Sequence, residues 1–193
     1  MTLAETASIF CENIVLDAIL ETAQEPDEEL AVLDTFLQGA SYLTLEVYSR
    51  YLFEEAVCEK RLEAELSADE LCDLTNQTYH RTLKDTIPEG TYRPYDWARV
   101  PHYYFPDLSF YNYPYTFGFL FSLGLYRLYK EGWAGFHEAY DKLLAESGMA
   151  SALDLGLRLG IDISQPDFWQ NSYAEVLQRT ERFEELVEEQ ISR

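Results

Sequence analysis

The chain has 193 residues and a formal charge of −21, from 14 Lys and Arg against 35 Asp and Glu. That balance excludes a phosphate-backbone binder, which needs a basic patch to release counterions, and it excludes docking on an anionic leaflet. Hydrophobic residues make up 47% and aromatics 15%, enough for a real core, and only 9 Gly and 7 Pro interrupt the chain, which favours long helices over a strand-and-turn fold.

Residues 2–24 run without Pro or Gly. Leu3, Ala7, Phe10, Ile14 and Ala18 recur at helical spacing, and Ile9, Leu16 and Ile19 fall on another face. A helix apolar on more than one face is expected to lie between neighbours. Pro26 and the acids Asp27, Glu28 and Glu29 mark a new helix start. From 28 to about 65 the pattern stays helical, as one long helix or two joined by a kink, with Gly39 the weak point. Ser67-x-x-Glu70 is a capping box and opens a helix running to about Ile87, before Pro88 and Gly90.

The segment 91–118 is different. It holds Tyr92, Tyr95, Trp97, Tyr103, Tyr104, Phe105, Phe110, Tyr111, Tyr113, Tyr115 and Phe117, punctuated by Pro94, Pro101, Pro106 and Pro114. This predicts an irregular aromatic stretch feeding a helix that starts near Pro114 and continues to Gly132. Further helices are predicted over about 134–147, 150–159 and 168–191. No internal repeat and no flexible linker stands out, so the sequence predicts one all-α unit over 1–193, with 119–193 forming its last helices.

Cys11, Cys58 and Cys72 are an odd count without a CxxC, so neither a disulfide framework nor a structural zinc pattern follows, and a reduced setting is expected. The first twenty residues carry Glu5, Glu12 and Asp17 and no basic segment, unlike a signal peptide. No stretch of about 18 uncharged apolar residues exists to span a bilayer. There is no GxGxxG, P-loop, ExxH or HExxH. His137-Glu138-Ala139-Tyr140-Asp141 has Asp where a second imidazole would be needed, so it reads as a polar helix surface. His80 reads as a solvated surface residue.

Two places carry more. Glu5, Ser8 and Glu12 fall within about 60° of one another on the first helix, on a line shared with Ile9, Leu16 and Ile19, while Asn13 and Asp17 read as its solvated side. A buried carboxylate needs a cation, a metal or several donors. Equally, Thr2-x-x-Glu5 is a capping box, and Glu5 can simply close the helix start. The second place is His102 with Tyr111, Tyr113 and Tyr115, which alternate before a helix begins. Phenols so placed can line a groove and donate to a developing oxyanion, and an imidazole can bind substrate. They can also form a stacked hinge between helices.

Together the two places resemble the C-terminal part of an oligoendopeptidase F, in the thimet-oligopeptidase-like group of zinc metallopeptidases. The resemblance rests on Glu5-Thr6-Ala7-Ser8-Ile9-Phe10-Cys11-Glu12, on Val100-Pro101-His102-Tyr103, on Phe110-Tyr111-Asn112-Tyr113-Pro114-Tyr115-Thr116-Phe117-Gly118, and on Asp162 to Ser172. It covers essentially the whole chain, and the tyrosine block is its most specific piece.

The resemblance implies that Glu5 is the third ligand of a Zn²⁺ ion, with Ser8 and Glu12 orienting it. It implies that His102 and Tyr115 bind the peptide and stabilise the tetrahedral oxyanion, with Tyr111 and Tyr113 beside them on the substrate. Either Tyr115 or Tyr113 fits the oxyanion role. It further implies a cytoplasmic enzyme that cleaves short oligopeptides with zinc-activated water. The HExxH helix, expected upstream of Met1, is not in this sequence. The chain is therefore expected to be a fragment that binds zinc weakly or not at all and cleaves nothing. It is also expected to self-associate through the exposed apolar face of helix 2–24. The competing expectation is a non-catalytic helical interaction module, in which the tyrosines are a hinge and Glu5 a cap. A stand-alone small-molecule enzyme is disfavoured, because no nucleophile–base pair or phosphate loop is present.

Overall fold

A computed structural model describes residues 2–88, 90–108 and 110–192. Among them the architecture is helical, with no β-strand and one isolated bridge between Ser147 and Ala150. The contacts gather in two compact units, one of residues 1–40 and 117–193 and the other of residues 41–116.

The first unit contains α1 (Thr6–Thr22), most of α2 (Pro26–Ser41) and most of α6 (Tyr113–Lys130). It also holds α7 (Phe136–Glu146), α8 (Ala152–Arg158) and α9 (Pro166–Ile191). Its core is built from Leu3 and Phe10, from Phe121, Leu125 and Tyr126 of α6, and from Phe136, Leu143, Leu155, Leu159 and Ile161. Burying each of these large side chains contributes about 1.5–3 kcal/mol, which outweighs the weak intrinsic helicity of segments this short. Phe10 also meets the rings of Tyr140 at 4.6 Å, Phe136 at 5.7 Å and Tyr126 at 6.1 Å between centroids.

The face that α1 buries is only in part the expected one. Thr6, Ile9, Phe10 and Asn13 are buried and Asp17 is half-buried, whereas Ser8, Glu12, Ile14, Val15 and Ile19 are exposed. The cause is Arg179, a buried cation on α9. Its guanidinium donates to Asn13 Oδ1 at 2.8 Å and Asp17 Oδ1 at 2.9 Å and sits 4.2 Å from the centre of the Phe36 ring. Tyr126 Oη donates to Asp17 Oδ2 at 2.5 Å, and Lys130 Nζ lies 3.9 Å from the same oxygen. Two polar residues that look solvated are thus drawn inward by a partner far along the chain, and the apolar residues opposite them turn outward.

The second unit contains a π-helical stretch (Tyr42–Glu46), α3 (Val47–Lys60), α4 (Ala68–Leu83) and α5 (Asp96–Arg99). The weak point expected at Gly39 falls three residues later, where hydrogen bonding widens instead of breaking. The capping box at α4 forms in both directions: Glu70 N–H donates to Ser67 Oγ at 3.3 Å, and Ser67 N–H donates to Glu70 Oε2 at 2.8 Å. Phe53, Val57 and Leu74 make the core here, with Trp97 and Tyr103 packed against it.

Candidate functional site

In the second unit the proline-punctuated segment stays irregular and presents its aromatic side chains at fixed points. Pro101 opens a single 3₁₀ turn, Pro101–Tyr103, that carries His102. The chain returns eight residues later, where Phe110 N–H donates to the His102 carbonyl at 2.8 Å. Phe110 reaches that position only in the left-handed region, at φ 60°. α6 then starts at Tyr113, with Pro114 in its first turn, where the missing N–H costs nothing.

This arrangement brings three of the expected residues together. The His102 ring lies 5.9 Å from Tyr115 edge to face and 6.4 Å from Tyr111 in a stack, and Tyr111 and Tyr115 meet at 5.4 Å, nearly perpendicular. Phe105 closes the cluster 5.7 Å from His102. Tyr111 is buried, while His102, Tyr113 and Tyr115 are half-buried, so the cluster has an inner and an outer side. Edge-to-face packing of this kind holds each ring at a set angle.

Behind the cluster lies a buried polar layer that the sequence did not announce. Asn112 Nδ2 donates to Glu54 Oε1 of α3 at 2.5 Å, and Asn112 and Glu54 are only 1% and 6% exposed. Thr116 Oγ1 donates to the Leu43 carbonyl at 2.6 Å. In the same unit, Tyr79 Oη donates to Asp96 Oδ2 at 2.5 Å, and Arg99 pairs with Asp96 Oδ1 at 2.6 Å. Burial alone would raise the Asp96 carboxyl, but the hydrogen bonds from Tyr79 and Arg99 outweigh it and hold it below the usual range. Burial pushes the Tyr79 and Tyr103 phenols well up, reinforced by Asp96 at Tyr79 and by Glu54 at Tyr103. Neither phenol is a proton donor of ordinary strength. A polar residue directly before a helix reads as a loop or cap, so Asn112 gave no signal of a partner 58 residues away.

Glu5 belongs to the first unit. It is the residue from which α1 starts, and its side chain does not act as the N-cap acceptor there. It is half-buried. Gly118 of α6 lies so close that a Cβ there would stand 2.8 Å from Glu5 Cβ and 3.2 Å from its carbonyl carbon. Ser122, one turn on, donates to the Thr6 carbonyl at 2.8 Å. Ser8 Oγ donates to the Glu5 main-chain carbonyl at 3.1 Å, and Glu12 is exposed, not on the buried line expected of it. His80 and His137 are exposed, as expected.

Among the described residues no group of three or more His, Cys, Asp or Glu is placed to hold a metal ion. The donors among the described residues therefore do not make a zinc site by themselves. No helix among the described residues is long and apolar enough to cross a membrane.

No family model matches the chain. It is 26% identical over 190 residues to an oligoendopeptidase F homolog of Lactococcus lactis subsp. lactis, covering 96% of this chain and 31% of that protein. It is 25% identical over 189 residues to the group B oligopeptidase PepB of Streptococcus agalactiae, covering 96% of this chain and 30% of that protein. The crystal structure of oligoendopeptidase-F from Enterococcus faecium superposes with a TM-score of 0.79 at 22% identity, over 97% of this chain and 36% of that one. A putative peptidase from Chlamydophila abortus gives 0.83 at 19% identity, over 96% and 31%. The chain is thus similar to oligoendopeptidase F over 96% of its residues, has that helical fold, and spans 31% of the length of the Lactococcus relative.

Proposed function

We propose that this chain is the C-terminal part of a zinc-dependent peptidase of the oligoendopeptidase F type and carries its substrate wall. The observation that supports the reading most is the convergence of the His102, Tyr111 and Tyr115 rings within 6.4 Å of one another. The likeness to oligopeptide-cleaving relatives over 96% of the chain supports it independently. In this reading His102 binds the peptide and the Tyr115 phenol donates to the oxyanion of the tetrahedral intermediate, with Tyr113 the neighbour able to take its place. Tyr111 and Tyr113 line the groove. An O–H donor fixed by ring packing needs no reorganisation as charge develops, which is what makes it effective.

Glu5, in the other unit, is proposed as one carboxylate ligand of Zn²⁺, with Ser8 and Glu12 beside it on α1. In a complete peptidase the ion supplies an activated water. The two imidazoles and the general base that such a site needs are not supplied by this chain, so the 193-residue chain alone is expected to cleave nothing. A cytoplasmic location is part of the reading and rests on the likeness alone. The exposed apolar residues Ile14, Val15 and Ile19 of α1 support self-association of the isolated chain.

The test is a chimera in which this chain replaces the matching 31% of the Lactococcus lactis oligoendopeptidase F homolog. It should cleave a quenched fluorescent oligopeptide and stop on addition of chelator. Tyr115→Phe should lower kcat about 10²–10³-fold, the cost of removing one oxyanion donor. Glu5→Ala should abolish chelator-sensitive activity. A folded, active chimera indifferent to Tyr115→Phe, Tyr113→Phe and Glu5→Ala would sink the reading.

A further inference from the structure

We propose that Glu54 and Asn112 are positioning residues, and that their hydrogen bond sets the orientation of the tyrosine wall. The inference rests on the substrate-wall reading and adds to it the device that holds the wall in place.

Asn112 sits between Tyr111 and Tyr113, and its side chain donates to Glu54 Oε1 at 2.5 Å across 58 residues of sequence. Its carbonyl accepts the Tyr115 N–H at 3.1 Å. One residue therefore touches the geometry of all three tyrosines, through its two peptide bonds and the first turn of α6. A second anchor, Thr116 Oγ1 on the Leu43 carbonyl at 2.6 Å, secures the same turn.

An apolar pair would fill this space at lower cost, because a buried carboxylate gives up its hydration and here receives one amide donor. The charge of Arg50 offsets only part of that cost. Arg50, one turn earlier on α3, has Nη1 committed to Tyr42 Oη at 2.7 Å, and its buried Nε finds no hydrogen-bond partner. What the polar pair provides and an apolar pair does not is direction. A short amide–carboxylate bond fixes the Asn112 side chain in distance and angle, and with it the peptide planes on either side. Packing alone would hold the segment against α3 and leave those planes free to turn.

The experiment uses the whole chain labelled with 3-fluorotyrosine, its Tyr111 and Tyr115 ¹⁹F resonances assigned by single Tyr→Phe changes. Glu54→Gln keeps an acceptor, so both resonances should stay in place. The double variant Glu54→Leu/Asn112→Leu removes both polar groups and leaves neither orphaned, so helical content should survive. In it the two resonances should lose their dispersion and broaden. Asn112→Ser, too short to reach Glu54, gives the same reading should the double variant not fold. Unchanged resonances in the folded double variant, or in Asn112→Ser, overturn the proposal; so does their loss in Glu54→Gln. Adding an oligopeptide to the labelled wild-type chain tests the substrate wall separately. Indifference of both resonances to peptide would remove that role, whatever the tether variants report.

Discussion

Burial holds the Glu54 carboxyl above the ordinary carboxylate range, and the hydrogen bond from Asn112 and the charge of Arg50 offset only part of that. The folded chain then keeps the proton more tightly than the unfolded chain does. A group of this kind contributes its stability fully below the unfolded value and loses it as pH rises through the folded one. Glu54→Gln cannot ionise. Its urea midpoint should match the wild type at acid pH and exceed it once pH has risen past the ordinary carboxylate range. A difference that shrinks with rising pH would contradict the burial argument. Glu29 runs the other way: the Arg182 hydrogen bonds at 2.7 and 2.8 Å hold it low, so its contribution fades as pH falls. With Arg182 42% exposed, solvent screens that pair and it does not mask the Glu54 effect. The sequence singled out His102, Tyr111 and Tyr115 but left a groove and a hinge equally open, and Phe105, which joins their cluster, gave no signal. The Glu54–Asn112 bond was not legible, since nothing local distinguishes an asparagine bound to a distant helix from one capping its own.

The helices themselves were readable where the information is local. Apolar residues at helical spacing located every helix but α5 to within a few residues, and the Ser67 capping box named the start of α4 outright; α5, four residues long, falls in the stretch expected to be irregular. The π-helical stretch at Tyr42–Glu46 left no mark, because it is a change of hydrogen-bond register and not of residue type. The orientation of α1 was misread for a related reason: Asn13 and Asp17 are inward because of Arg179, which follows Asn13 by 166 residues. Two glycines on helices show how packing decides the sign of one substitution. Nothing lies within 4 Å of a Cβ built at Gly39 of α2, so Gly39→Ala should stabilise by about 0.5–1 kcal/mol through helix propensity alone. At Gly118 a Cβ would meet Glu5 at 2.8 Å, and overpacking of about 1–3 kcal/mol should outweigh the same gain. Denaturant unfolding of the two variants should therefore move in opposite directions. Equal shifts would mean that α1 is not seated closely on α6.

At the scale of the molecule, the 35 acids dominate, and several of the 14 cations are already consumed internally, Arg179 by Asp17 and Lys130 by Glu175 at 2.6 Å. Chains of the same sign repel, and the range of that repulsion contracts from about 30 Å at 0.01 M salt to about 8 Å at 0.15 M. Self-association through the exposed Ile14, Val15 and Ile19 should therefore be weak at low salt and grow as salt is added. Sedimentation velocity across that range should show the dimer fraction rising, and Val15→Glu should abolish it. A species that dissociates on adding salt would point to a polar contact elsewhere.

The hydrogen bond from Phe110 to the His102 carbonyl closes a short excursion of the backbone at its base. Whatever is inserted between those two residues pays only the slowly growing entropy of a longer loop, while its ends stay clamped. Phe105 and Tyr103 are committed to the rings and the core, so the exposed Asp107–Leu108 step is the natural graft point, where a spectroscopic tag or an affinity epitope leaves the spacing of imidazole and phenols alone.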